Sequence, residues 1–425
     1  MNARSPRHPG AGDDGGLAGA LAPVVRWLLG GELPVRLCAY DGSEAGPEGA
    51  PAIVLRSPMA LRRLLWSPNE LGLADAYVTG AIDLEGDLTE SLRLMRRPGA
   101  GARRPNWHRL APLDLLRMAR ATIGAGAAGR RPPVPLARAR LSGRKHSRDR
   151  DRAAIAHHYD QSVEFFELLL DRSMAYSCAF WASDAPGYGL ADAQLAKLEL
   201  ICTRLAVRPG TRLLDVGCGW GSLVEYAAAR HHARVTGVTL SASQASYGRT
   251  RLAAAGLSAT AEMRLADYRE ATDGPYDAIA AIEVGEHIGA ARYPAFAAQL
   301  RELLRPGGRV VVQQMSRGAQ APGGGAFIER YVAPDMHMMP LPATLGILAG
   351  AGLEILEVQA LREHYVRTIR AWLARLEARF GDVQAIVGPE AARVWRLYLT
   401  GAALVFEDGR MGVDQILAAR PERRP

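Results

Sequence analysis

The chain has 425 residues, 48% hydrophobic and 23% charged, which is enough apolar material for more than one core and too much for a disordered polymer. No stretch approaches about 18 uninterrupted apolar residues, and the opening Met1-Asn2-Ala3-Arg4-Ser5-Pro6 lacks the apolar core of a signal peptide, so a cytoplasmic protein without a membrane span is expected. The net charge of +8 is uneven: fourteen Arg or Lys from Arg103 to Arg152 meet three Asp, a local excess of +11.

Residues 1–16, rich in Gly, Pro and Asp, read as a disordered tail. Residues 17–100 read as a small amino-terminal domain, with a helix to Leu29, strands over 35–40 and 52–55, and a helix over 59–65. The basic stretch 101–150, with Arg130-Arg131-Pro132-Pro133, reads as a linker. Within it, 110–123 has helical apolar spacing with Arg117 and Arg120 interspersed. Two readings stay open: a solvated connection, or an attachment to an anionic membrane surface. Nucleic acid is set aside as a partner, because no zinc-knuckle, helix-turn-helix or aromatic RNA-binding signature accompanies the charge. The second domain, 151–425, begins with a helical segment over 152–170. Strand-like 211–216, 235–238, 261–265, 277–283 and 309–314 then alternate with helical windows such as 293–304, which predicts an α/β fold with a doubly wound parallel sheet. Segments 353–361 and 413–419 read as antiparallel edge strands, with helices over 366–380 and 389–406 between them. The four cysteines show no CxxC or Cys/His metal spacing, so reduced thiols and no metal site are expected.

The densest chemical signal is Leu213-Leu214-Asp215-Val216-Gly217-Cys218-Gly219-Trp220-Gly221. A strand ends in a glycine turn at which a ligand can approach a backbone without Cβ atoms. A dinucleotide site would place an acid about 20 residues later; here the second strand runs into Thr239-Leu240-Ser241 and Gln244, and the third ends in Asp267-Tyr268-Arg269. Hydroxyl and amide groups for a ribose, with a carboxylate and an aromatic face for a purine, fit an adenosine that lacks a pyrophosphate. That points to S-adenosylmethionine (SAM).

Five ordered segments, Tyr176-Ser177-Cys178, Gly217-Cys218-Gly219-Trp220-Gly221, Gly237-Val238-Thr239-Leu240-Ser241, Asp267-Tyr268-Arg269 and Glu286-His287-Ile288-Gly289, resemble the cyclopropane-fatty-acyl-phospholipid synthases, SAM-dependent lipid methyltransferases with a Rossmann-like catalytic domain. The resemblance is strong from about residue 150 onward. It is looser over the first 100, where Leu71-Gly72-Leu73-Ala74-Asp75-Ala76-Tyr77 and Gly80 resemble the amino-terminal, lipid-engaging module of longer members. It implies a SAM site built from Tyr159, Ser177, Asp215, Gly217, Gly219, Thr239, Gln244, Asp267 and Tyr268, an active-site carboxylate at Glu286, and a pocket tyrosine at Tyr365. Cys178 is read as pocket lining or a bicarbonate contact, or else as a thiol nucleophile, which would need an activating neighbour. His287 is read as structural, or else as a proton shuttle. The implied substrate is an unsaturated phospholipid reached from the inner membrane surface, and a homodimer stays open as the assembly.

An isolated alkene has no acidic proton, so its methylation needs a strong electrophile, stabilisation of the ensuing cation, and a base. If the base removes a proton from the added methyl as the ring closes, the product is a cyclopropane; a methylene-forming enzyme shares the attack and differs in the deprotonation. Two positions depart from the family pattern. The histidine that helps to hold a bicarbonate base is replaced by Gln313, which can hydrogen-bond an anion but adds no charge and relays no proton. Val163 stands where an asparagine is usual. A cyclopropane-forming activity is the expected function, with a methylene-forming methyltransferase as its rival and a non-catalytic lipid-binding protein on the same fold as the second.

Overall fold

The computed structural model describes residues 16–29, 31–95, 112–139, 141, 143, 145, 147, 150–151, 162–318 and 324–422. The chain divides into two compact units between Leu136 and Ala137, inside the stretch expected to be a linker.

The amino-terminal unit carries α1 (Leu17–Leu28), β1 (Arg36–Ala39), β2 (Glu44–Ala45), β3 (Ala52–Leu55), α2 (Pro58–Trp66), α3 (Glu70–Val78), β4 (Ile82–Glu85), α4 (Leu88–Met95) and α5 (Pro112–Gly124). Its four strands pair in the order β2-β1-β3-β4. Leu17, Leu21, Val35, Leu37, Leu55, Leu61 and Ile82 fill its core. The helix and turn over 112–128 are folded into this unit rather than strung between domains. Tyr40 Oη donates to the Ala125 carbonyl at 2.6 Å, and the Arg62 guanidinium donates to the carbonyls of Gly126, Ala127 and Ala128 at 2.8, 3.0 and 2.9 Å. Ala127 is wholly buried. The carboxyl end of the basic stretch is tied down as well, within the second unit: Arg150 makes a bidentate pair with Asp335 at 2.5 and 3.0 Å, and Lys145 reaches Glu329 at 2.9 Å. Acids of the second unit thus satisfy part of the basic charge of the 101–150 stretch.

The second unit holds a seven-stranded sheet: β5 (Arg212–Val216), β6 (Arg234–Thr239), β7 (Ala261–Leu265), β8 (Tyr276–Ile282), β9 (Leu304–Arg317), β10 (Glu354–Ala360) and β11 (Met411–Ala419). The order is β10-β11-β9-β8-β5-β6-β7, parallel from β9 to β7 and antiparallel where β11 joins β9 and β10. Leu213 to Val216 are buried without alternation, as expected of a strand covered on both faces. The helices in chain order are α6 (Val163–Leu169), α7 (Leu190–Arg204), α8 (Ser222–His231), α9 (Ala242–Ala254), α10 (Gly285–Ile288), α11 (Tyr293–Leu303), α12 (Leu341–Gly350), α13 (Arg362–Ala378), α14 (Phe380–Val387) and α15 (Pro389–Glu407). One apolar core lies under α7, α8 and α9 (Leu198, Leu223, Val224, Leu252), another under α11 and α12 (Phe296, Leu300, Leu348). A third, aromatic core joins Phe165, Phe166, Trp220, Tyr365, Trp372, Trp395 and Phe406. The chain leaves β5 towards β6 and β7, then returns to β5's other side as β8. This reversal leaves a crevice at the carboxyl ends of β5 and β8, the usual ligand position in such sheets. Among the described residues no helix is long and apolar enough to cross a membrane.

Candidate active site

A cavity opens at that crevice, and the glycine turn forms its floor. Gly217 and Gly219 adopt φ of +69° and +53°, the left-handed region that favours glycine. A Cβ on Gly217 would meet Val284 Cγ2 at 2.3 Å, whereas one on Gly219 would meet nothing within 4 Å. The first glycine is therefore required by packing and the second leaves room for a ligand. The Gly217 and Cys218 N–H groups donate to the Val238 carbonyl at 2.9 and 3.0 Å, tying the turn to β6.

Eight of the nine residues expected to hold SAM line this cavity: Ser177, Asp215, Gly217, Gly219, Thr239, Gln244, Asp267 and Tyr268. Tyr159 lies outside the described residues. Thr239 Oγ1 donates to Gln244 Oε1 at 2.7 Å, so the Gln244 amide N–H is aimed by a buried hydroxyl. Asp267 is held by Arg269, whose N–H and Nε donate to its carboxylate at 3.0 and 2.8 Å. Burial pushes the Asp215 carboxyl up to about 7. Lys197, passed over in the sequence reading, is fully buried in α7, lines the cavity and donates to Ser177 Oγ at 2.8 Å. These groups fit an adenosine carrying a charged amino-acid tail.

Behind the wall, the structure gathers Cys178, Gln313 and Tyr365 around a group that the motif reading missed. Glu283, at the end of β8, lines the cavity with the unusual φ of +56°, a strained conformation of the kind that clusters at functional sites. Its Oε1 accepts from the Cys178 backbone N–H at 2.7 Å and from Gln313 Nε2 at 3.0 Å, and its Oε2 accepts from Tyr365 Oη at 2.8 Å. Glu286 is 1% exposed and is not part of the cavity wall. Its Oε1 accepts from the Met315 N–H at 2.5 Å, while Oε2 is buried without a hydrogen-bond partner among the described residues. Burial, then the neighbouring Glu283 charge, push Glu286 up to about 8. Burial raises Glu283 as well, but the Cys178 N–H, Gln313, Tyr365 and Lys197 all oppose it; Glu283 therefore ionises first and Glu286 keeps its proton at neutral pH. Burial, reinforced by Glu283, holds the Cys178 thiol well above its ordinary range. A thiol held in that state is a poor nucleophile, and Cys178, which lies behind the cavity wall, holds Glu283 through its backbone N–H. His287 lines the cavity. Among the described residues no cluster of metal-binding side chains occurs.

A second acid three residues before Glu286 was visible in Ile282-Glu283-Val284-Gly285-Glu286. Nothing local, however, distinguishes the carboxylate that meets the cavity from the one that caps a backbone N–H.

Comparison with known proteins gives the family. The family model described as mycolic acid cyclopropane synthetase matches residues 146–416. A probable fatty acid methyltransferase of Mycobacterium tuberculosis is 36% identical over 405 residues, covering 93% of this chain and 93% of its own. The tuberculostearic acid methyltransferase UfaA1 of the same organism is 33% identical, with 94% and 92% covered. Among solved structures, the mycolic acid cyclopropane synthase CmaA1 complexed with S-adenosylhomocysteine (SAH) superposes with a TM-score of 0.60 at 31% identity, covering 63% of this chain and 98% of that one. With its seven-stranded sheet, glycine turn and ordered motifs, the chain belongs to the mycolic acid cyclopropane synthetase family of SAM-dependent lipid methyltransferases.

Proposed function

We propose that the protein transfers a one-carbon unit from SAM to the double bond of an unsaturated phospholipid acyl chain, with Glu283 as the general base and methylene formation as the outcome. The observation that carries this reading is the Glu283 carboxylate, set in the cavity wall and held by three donors. When bound, SAM supplies a methyl group on a positively charged sulfur. The π electrons of the alkene form the new C–C bond, the C–S electrons return to sulfur, and the positive charge moves to the neighbouring alkene carbon. Glu283 faces that charge as a carboxylate in a site that Trp220, Tyr365 and Trp372 help to keep dry. It then accepts the proton, and the C–H electrons close the product. After a hydride shift along the acyl chain, deprotonation of the added methyl yields the methylene; without the shift, the same deprotonation closes a cyclopropane.

A bicarbonate base does not fit these residues. The Cys178 N–H, Gln313 Nε2 and Tyr365 Oη, which would hold the anion, already converge on Glu283, and Gln313 lacks the charge of the histidine it replaces. The relatives that match almost the whole chain are named fatty acid methyltransferases, whereas those named cyclopropane mycolic acid synthases match 62% of it. This favours the methylene over the ring. Cyclopropane formation is the second reading, favoured by the description of the family model.

The amino-terminal unit suits a lipid surface facing the cytoplasm. Leu65, Trp66 and Leu73 are 55, 53 and 51% exposed, and Trp66 Nε1 donates to the Gly129 carbonyl at 3.1 Å, which places the indole beside exposed Arg130 and Arg131. An amphipathic ring flanked by guanidinium groups matches an anionic headgroup layer. The test is mass spectrometry of lipids from a host expressing the protein. An acyl chain gaining CH₂ that accepts hydrogen over a catalyst establishes the methylene; a gain that resists hydrogenation establishes the ring, and no gain overturns the proposal.

A further inference from the structure

We propose that Arg204 is a positioning residue for this reaction: acting through Gln415 and Gln313, it fixes which way a row of buried amides points, so that Glu283 meets hydrogen-bond donors alone. The inference rests on the reading of Glu283 as the base.

Three glutamines lie side by side across the antiparallel strands, Gln313 on β9 opposite Gln415 on β11, and Gln415 opposite Gln359 on β10. Gln313 and Gln415 are wholly buried, and Arg204, at the end of α7, is 8% exposed. Its guanidinium donates to Gln415 Oε1, to Gln359 Oε1 at 2.6 Å and to Glu357. An amide can face either way, but a guanidinium has donors only. Arg204 therefore takes the Gln415 oxygen and turns the Gln415 amide N–H towards Gln313, whose Oε1 it meets at 2.8 Å. Gln313 is turned in its own right, and its Nε2 faces Glu283 Oε1 at 3.0 Å. A surface-proximal arginine thus sets the polarity of a chain that ends on the catalytic carboxylate.

Without that anchor the row can reverse, and Gln313 then presents its carbonyl to Glu283, an arrangement that favours the protonated acid and costs the base. The other titratable groups around Glu283 are Lys197 from α7, Cys178 from the segment before it, Tyr365 from α13, Tyr398 from α15 and Glu286 from α10; none of them is altered by changes at 204 or 415.

The test is the pH profile of single-turnover methyl transfer from tritiated SAM to vesicles of dioleoylphosphatidylglycerol, using the full chain. Arg204→Met and the charge-neutral Gln415→Met are each expected to move the acid limb up by about one to two pH units, the cost of exchanging a hydrogen bond to a charged carboxylate for an opposed dipole. Activity should recover at higher pH, and Arg204→Lys, which keeps a donor-only cation, should return the limb towards the parental position. A uniform loss at every pH with an unmoved limb overturns the proposal, as does a shift in Arg204→Met with none in Gln415→Met, because that pattern reports the charge of Arg204 at a distance rather than the amide row. Glu283→Gln separates the two readings. If it abolishes turnover while the limbs of Arg204→Met and Gln415→Met stay at the parental position, the relay fails and the base stands; if it leaves turnover intact, the base itself fails.

Discussion

Replacing Glu283 with glutamine is the sharpest perturbation of the chemistry, because the side chain keeps its shape and loses only its charge and basicity. The amide oxygen can take the position of Oε1 and still accept from the Cys178 N–H and Gln313. The new NH₂ meets Tyr365 Oη, a hydroxyl that can rotate to accept. Stability should therefore change by no more than about 2 kcal/mol, and SAM, whose other contacts are untouched, should still bind. Turnover should respond differently. Removing one preorganised group aimed at a developing charge costs about 3–4 kcal/mol, and the lost proton acceptor adds to that, so methyl transfer should slow by at least about a hundredfold. Glu286→Gln provides the contrast: Glu286 is already neutral below about pH 8, so its amide imitates the resident state and should cost far less. The assay is tritiated methyl incorporation into vesicle lipid at saturating SAM, with calorimetric titration of SAM as the binding control. Turnover of Glu283→Gln within about threefold of the parent, or a larger loss in Glu286→Gln, would refute the assignment of the base.

Gly219→Val, whose side chain would project into open cavity, should lose SAM affinity by about a hundredfold or more while costing roughly 1–3 kcal/mol of stability through its positive φ; a folded variant with parental affinity in titration calorimetry would remove SAM from this cavity. Glu286, raised to about 8 from 4.5, binds a proton in the native state that the unfolded chain gives up, so its contribution to stability falls as pH rises from about 5 to 8. Melting curves of Glu286→Gln and parent should therefore diverge with rising pH in favour of the variant, and parallel curves would contradict the assigned protonation. Binding to anionic vesicles should weaken with salt, which screens an attraction of about 1 kcal/mol for each basic residue held near the surface, and should weaken separately in Trp66→Ala through the lost interfacial ring; equal partition onto neutral vesicles would dismiss the anionic surface as partner.

That Asp215, Gly217, Thr239 and Asp267 would line one cavity was legible because each sits at a strand end, closing β5, the turn after it, β6 and the stretch after β7, and the fold gathers strand ends at one edge. The proposed base was not legible. Glu283 and Glu286 are three residues apart, and only the left-handed turn at Glu283 aims it at the cavity while Glu286 turns to the Met315 N–H. The amide row was further out of reach, since its members are separated by 102 and 211 residues along the chain and meet only through the register of β9, β11 and β10 and the packing of α7 beside them. The partners of the basic 101–150 stretch were out of reach for a different reason. Composition reports charge but not its partners, and Asp335, which takes Arg150 and Lys145, lies far along the chain.

The most direct test of the account is methyl transfer by the purified protein in bicarbonate-free buffer, followed as labelled methyl from SAM appearing in the acyl chains of phospholipid vesicles. With Glu283 as its own base, the protein should turn over fully without bicarbonate and gain nothing when it is added; activity that vanishes on bicarbonate removal and returns on its addition would contradict the account.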